Sequence, residues 1–205
     1  MKEIIIKVSD EGHFSIPFYI KYTDNKNKKY KILYKGKYYE KEQKDIKIRQ
    51  VSQLVQALNI KNKKQRLEFI YDKACDLLDD DFYGKNVCEF KNNKCMHDRK
   101  YNNSCDGCCR TNDGGKCCIY LKNHKCTIRC LACKFHICSC VRKKNLNYKV
   151  NDILVLKYLL NFKQKIIVYL NFFKTKQETI NDLEKNSIIL WTLKKEQERF
   201  LEDNN

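Results

Sequence analysis

Apolar residues alternate with lysines at the start of the chain and recur at helical spacing from about residue 51 onward. Segments 2–8 (KEIIIKV) and 13–22 (HFSIPFYIKY) are rich in β-branched and aromatic residues and predict strands; 30–39 (YKILYKGKYY) alternates loosely and makes a third. The polar run TDNKNKK between the last two marks a turn, so a small antiparallel sheet or meander is expected. Pro17 belongs at an edge or a bend, because proline gives the ladder no N–H. From Val51 the period changes. Ser52 suits the cap of a helix over SQLVQALNI, and residues 59–62 read as a break. A second helix follows in KKQRLEFIYDKACDLLDDDF, with Leu67, Ile70, Ala74 and Leu77/Leu78 on one face. Cys75 on this helix reads as a buried thiol. Asp79, Asp80 and Asp81 oppose the macrodipole at its end; they read as a solvated turn, with a basic surface or a cation as the alternative contact.

Beyond the middle of the chain, Asn151 or Asp152 can cap a long, mostly apolar helix to about Phe173, with Lys157, Asn161 and Gln164/Lys165 as a narrow polar stripe. Residues 174–177 read as a break. Thr179 to Glu202 suits another helix, with Ile180, Leu183, Leu190, Leu193 and Leu201 along one side and Trp191 nearby. The two should pack as an antiparallel hairpin. No window of about 20 residues is free of charge, since 153–173 contains Lys157, Lys163 and Lys165, so no membrane span is expected. The opening MKEIIIKV is too short for a secretory apolar core and has no small-residue cleavage site after it. A cytoplasmic address follows, where thiols stay reduced.

Between these helical regions lies the stretch from Cys88 to Cys140, which holds twelve of the thirteen cysteines. An odd count leaves a thiol over in any complete disulfide framework, whereas reduced thiolates ligate metals. Cys105-x-x-Cys108 and Cys130-x-x-Cys133 have the two-residue knuckle spacing that lets a backbone turn around zinc. The doublets Cys108-Cys109 and Cys117-Cys118 project side chains in different directions and suit two metals, or one metal and the core. Cys88, Cys95, Cys126, Cys138 and Cys140 can complete a second or third site. Two or three Zn²⁺ ions are expected, with an Fe–S cluster as the alternative, because thiolate-only ligation serves both. His97 and His136 are further candidate ligands; His124, in the turn 121–125, and His13, far from the sulfur, read as surface residues. No repeat of about 20–50 residues stands out beyond the doublets.

The formal charge is +17. Residues 88–144 carry 13 basic and 4 acidic side chains, the largest excess in the chain. Clustered Lys and Arg suggest a nucleic acid or an acidic protein as partner, with Arg142, Lys143 and Lys144 as candidate contacts. Ligation competes for that charge. A four-thiolate zinc centre carries about −2, so two or three would neutralise roughly 4 to 6 of the positive charges around them. Lysine and tyrosine alternating in the N-terminal strands could face single strands, but a solvated sheet face is the plainer reading.

Cys105-Asp106-Gly107-Cys108-Cys109, Cys118-Ile119-Tyr120-Leu121 and Cys126-Thr127-Ile128-Arg129 together resemble the YkgJ-type cysteine-cluster family, whose small proteins are regarded as zinc- or iron-chelating. The first motif is shorter here, and no Arg-Pro pair follows the last. The resemblance implies metal chelation and no specific reaction. Cys126-x₃-Cys130-x₂-Cys133 also has radical-SAM spacing, but Ala132 stands where that superfamily has an aromatic, and the helices expected after it cannot build a barrel. G-x-S-x-G, P-loop and H-E-x-x-H motifs are absent from the sequence, so a binding role is favoured over catalysis. The expected fold class is α+β in four parts: a β-rich part (1–50), a helical segment (51–87), a metal-organised cysteine-rich module (88–144) and a C-terminal helical pair (145–205).

Overall fold

The computed structural model describes residues 1–15, 20–21, 27–85, 89–91, 94–95, 121–122, 125–126, 129–136, 139–143, 147–186, 192–193 and 197–199. The fold is α+β. Its first strand, β1 (Lys2–Val8), matches the β-branched run that predicts it. Within the second predicted strand the described residues form β2 (His13–Ser15) and β3 (Ile20–Lys21), and Pro17 lies outside the described residues. The third is a hairpin, not one strand: β4 (Lys28–Tyr34) turns at Lys35-Gly36 into β5 (Lys37–Tyr39). Both turn residues have positive φ, +48° and +70°, as a two-residue hairpin turn of matching twist requires.

β1 pairs antiparallel with β2 but parallel with β4, Ile6 opposite Ile32, which corrects the expected antiparallel sheet to a mixed one. The order runs β2–β1–β4–β5. One face carries Ile6, Val8, Phe14, Tyr30, Ile32 and Tyr34 into the core. On β4 these alternate with Lys29, Lys31 and Leu33, which are only half-buried.

Helix α1 (Ile46–Asn59) packs on β4. It starts six residues before the expected cap. Asp45 accepts the Lys47 N–H at 2.9 Å and is the true N-cap; Ser52 is fully buried inside the helix, where it accepts the Gln43 N–H and donates to the Arg49 carbonyl. At the other end, the Asn59 amide accepts the Tyr30 N–H and donates to the Tyr30 carbonyl, both at 2.9 Å, locking α1 to the sheet. The break at 59–62 is as expected, and the next helix, α2 (Lys63–Gly84), buries Leu67, Ile70, Ala74 and Leu78 together with Tyr71 and Cys75. Asp79–Asp81 continue this helix rather than forming a solvated turn. Asp79 pairs with Lys134, Asp80 with Arg49 at 2.5 Å, and Asp81 with Lys85 and the Tyr148 hydroxyl.

The single long helix expected from 151 or 152 to 173 is a short 3-10 turn (Val150–Asp152) and two further helices. Four short strands and two short helices precede them and are introduced with the cysteines below; in chain order the two helices are α5 (Leu154–Leu159) and α6 (Phe162–Leu170). The polar residue read as part of a stripe, Asn161, is a cap. Its side chain accepts the Gln164 N–H while Gln164 accepts the Asn161 N–H, each at 3.0 Å. Asn161→Ala should lower stability by about 1 kcal/mol, read as a shift of the denaturant midpoint at unchanged slope. Helix α7 (Lys176–Lys185) begins at another capping box, Thr175 with Glu178. It packs on α6 and α2, so helices do meet at this end, but both are much shorter than expected. Where the sequence suggests helix to Glu202, the structure has β10 (Thr192–Leu193) against β3 and β11 (Gln197–Arg199) against β2. In the sequence Ile188, Ile189 and Thr192 are β-branched and Trp191 is aromatic, residue types that favour strands over helix.

One hydrophobic cluster joins these elements, from Ile6 and Ile32 of the sheet through Leu54, Leu67 and Leu154 to Ile180 and Leu183. Leu131 and Phe135, from within the cysteine-rich stretch, belong to it. No described helix is long and apolar enough to cross a membrane.

Candidate metal centre

Three cysteine side chains are described, those of Cys75, Cys130 and Cys133, all free thiols. Cys130 and Cys133 form the second knuckle expected from the sequence. Helix α3 (Leu131–Phe135) starts directly after Cys130, whose backbone is extended at φ −81° and whose carbonyl accepts the Lys134 N–H at 3.2 Å. The chain therefore folds back over the Cys130 sulfur. That sulfur receives the Cys133 thiol and the N–H groups of Cys133, Phe173 and Ala132. Led by the Cys133 contact, these donors outweigh burial and hold the Cys130 thiol down at about 6. As a thiol, Cys130 donates to the Asn171 carbonyl, 3.2 Å away.

A sulfur wrapped by N–H groups two and three residues ahead, with a second sulfur beside it, is stabilised as an anion. This donor set fits zinc and Fe–S ligation equally. Among the described side chains, no three of the His, Cys, Asp and Glu groups converge on a point that could hold a metal ion. Cys130 and Cys133 could supply two ligands of a four-ligand set; the remaining two would have to come from outside the described side chains.

Backbone positions are described for three more candidates. Cys95 ends a hairpin of β6 (Phe90–Lys91) and β7 (Lys94–Cys95), and Cys126 ends a hairpin of β8 (Leu121–Lys122) and β9 (Lys125–Cys126). The registers match: Phe90 faces Cys95 and Leu121 faces Cys126. So do the sequences, F-K-N-N-K-C and L-K-N-H-K-C. A short duplicated unit is therefore present, and each copy delivers a cysteine at the same place. Cys140 lies in α4 (Ser139–Arg142). Cys88, Cys105, Cys108, Cys109, Cys117, Cys118 and Cys138 lie outside the described residues, as do His97, His124 and Lys144.

Helix α2 supports the knuckle from behind. The Tyr71 hydroxyl donates to the Arg129 carbonyl at 3.0 Å and accepts the Leu131 N–H at 3.2 Å, so it pins the backbone on both sides of Cys130. The Cys75 thiol donates to the same carbonyl at 3.3 Å. Burial pushes Cys75 up to about 12, which keeps it a thiol at neutral pH. Arg129 has φ +51°, a left-handed conformation uncommon outside glycine. Its guanidinium donates to Asp76 at 2.7 Å and to the Asp72 carbonyl at 3.3 Å, while Asp72 also pairs with Lys176. Lys134 is almost fully buried against Asp79.

His136 is exposed, lies at a tilt against Phe172 (centroids 4.6 Å apart) and meets Tyr169 edge-on. Arg142 and Lys143 are exposed at the end of α4. On the sheet, Lys29 and Lys31 pair with Glu40, and Lys31 also with Glu3, which fits the solvated-face reading better than a strand-binding one. No protein-family model, curated protein or solved structure matches the chain.

Proposed function

We propose that the chain is a cytoplasmic metal-binding cysteine-cluster protein, with zinc favoured, that acts as a binding module for nucleic acid or an acidic partner. The observation that carries this reading is the Cys130 sulfur, gathered with Cys133 under three backbone N–H groups at the spacing zinc knuckles use. The cysteine-ended hairpins at Cys95 and Cys126 support it. Zinc would supply folding energy here, and Arg142, Lys143 and Lys144 the contact with a negatively charged partner. Of the positive charge nearby, Arg129 and Lys134 are engaged by α2 carboxylates, whereas Arg142 and Lys143 are exposed at the end of α4.

The second reading is an Fe–S redox or metal-handling protein of the YkgJ type. Cys126-x₃-Cys130-x₂-Cys133 and the motifs at Cys105–Cys109 and Cys118–Leu121 favour it. Elemental analysis and a visible spectrum of protein purified without oxygen separate the two. Two or three zinc ions per chain and no colour are expected. A brown, iron-containing preparation would replace the first reading with the second, and metal-free protein with reduced, unreacted thiols would sink both. For the docking role, affinity for an anionic partner should fall as salt rises and fall again in an Arg142→Ala/Lys143→Ala variant.

A further inference from the structure

We infer that Tyr71 is a positioning residue for the metal: through its hydroxyl, helix α2 sets the direction in which Cys130 presents its sulfur. The inference rests on metal ligation by Cys130 and Cys133. Cys130 is flanked by two peptide units, and the one Tyr71 oxygen holds both of them, the Arg129 carbonyl and the Leu131 N–H. Neither contact is replaced by α3 itself, whose own bonds begin with the Lys134 N–H. The Arg129 carbonyl meets α2 while Arg129 holds a left-handed conformation, which is unfavourable for a side chain of that size. Three α2 groups within about a turn and a half keep it there: Tyr71 and Cys75 on the carbonyl, and Asp76 on the guanidinium. Released from them, residue 129 would relax to an ordinary backbone, and the Cys130 sulfur would rotate away from Cys133.

Groups that orient a ligand without touching the metal typically alter affinity by about 10- to 100-fold when removed. Cobalt(II) reads this directly in the full chain, because its sulfur charge-transfer and d–d bands report thiolate number and geometry. Tyr71→Phe should weaken cobalt binding by about 10-fold or more and shift the d–d envelope. Asp76→Asn, at a half-exposed position that folding tolerates, should move both readouts the same way by less. Ile70→Val trims the neighbouring buried residue of α2 and touches neither peptide; it should lower thermal stability while leaving both readouts unchanged. Cys75→Ser keeps a donor to Arg129 and should retain the wild-type sulfur band, as it would not if Cys75 were itself a ligand.

Wild-type cobalt binding with no change in Tyr71→Phe and Asp76→Asn would overturn the positioning role alone. Equal losses in Tyr71→Phe and Ile70→Val would do the same, since general loosening of α2 would then explain both. Failure of the wild-type chain to bind cobalt or zinc would overturn this inference together with the metal reading beneath it.

Discussion

Complete removal of metal by a strong chelator is expected to unfold the chain from Cys88 to Cys140 while α1, α2, α5 and α7 remain folded. A structural zinc contributes on the order of 10 kcal/mol, comparable with the stability of a whole domain, so a stretch organised by thiolates has little left without it. The other elements have a different source of stability. Ile6, Ile32, Leu54, Leu67, Leu154 and Ile180 belong to one buried cluster that contains no metal-ligand candidate. The boundary between the two regimes falls at α3, where Leu131 and Phe135 join that cluster while Cys130 and Cys133 face the proposed metal. Amide hydrogen exchange should therefore show protection retained in α1 and α2, partly lost over 129–136, and abolished in the hairpins ending at Cys95 and Cys126. Cys105→Ser should act like the chelator on the same residues. Near-UV dichroism and melting that do not change on complete metal removal would refute the proposal.

Much of this division is legible in the sequence, and what is not has a common cause. β1 and α2 read correctly because each carries its signal locally: a β-branched run for one, four apolar residues on one helical face for the other. The split between α5 and α6 is equally local, in Asn161-x-x-Gln164, but there the apolar pattern runs straight through the cap and hides it. The parallel pairing of β1 with β4 is invisible to any local pattern, since it depends on how the chain between them crosses the sheet. At the candidate site the Cys130-x-x-Cys133 spacing announces itself, whereas Tyr71, Cys75 and Asp76 do not. They act on Arg129 and Leu131 across more than 50 residues of chain, Tyr71 and Cys75 through backbone groups and Asp76 through the guanidinium, and none of these contacts has a local sequence signature. The duplicated hairpin could have been read. Its six-residue unit is short, and the cysteines that precede the two copies are spaced differently, so a search at repeat length passes over it.

The acidic run 79–81 shows how burial ranks three neighbouring carboxylates, and Asp79→Ala should be the most damaging single substitution among them. The Lys134 side chain is only 5% exposed, and Asp79 is the carboxylate beside it. Truncating the aspartate leaves an ammonium buried without its counter-charge, which typically costs about 3–5 kcal/mol. Asp80→Ala should cost under about 1 kcal/mol, because its pair with Arg49 is largely in water, with the carboxylate 58% exposed. The contrast is a prediction about burial and not about charge, since both substitutions remove one carboxylate from one turn of one helix. Replacing both partners, Asp79→Leu with Lys134→Met, should recover most of the loss, because the double change removes the stranded charge along with the pair. Denaturant midpoints for the two single variants and the double variant measure all three quantities. A loss below about 1 kcal/mol for Asp79→Ala would mean that Lys134 reaches water once released, and α3 would then be tied to α2 by Tyr71 and Arg129 rather than by this ion pair.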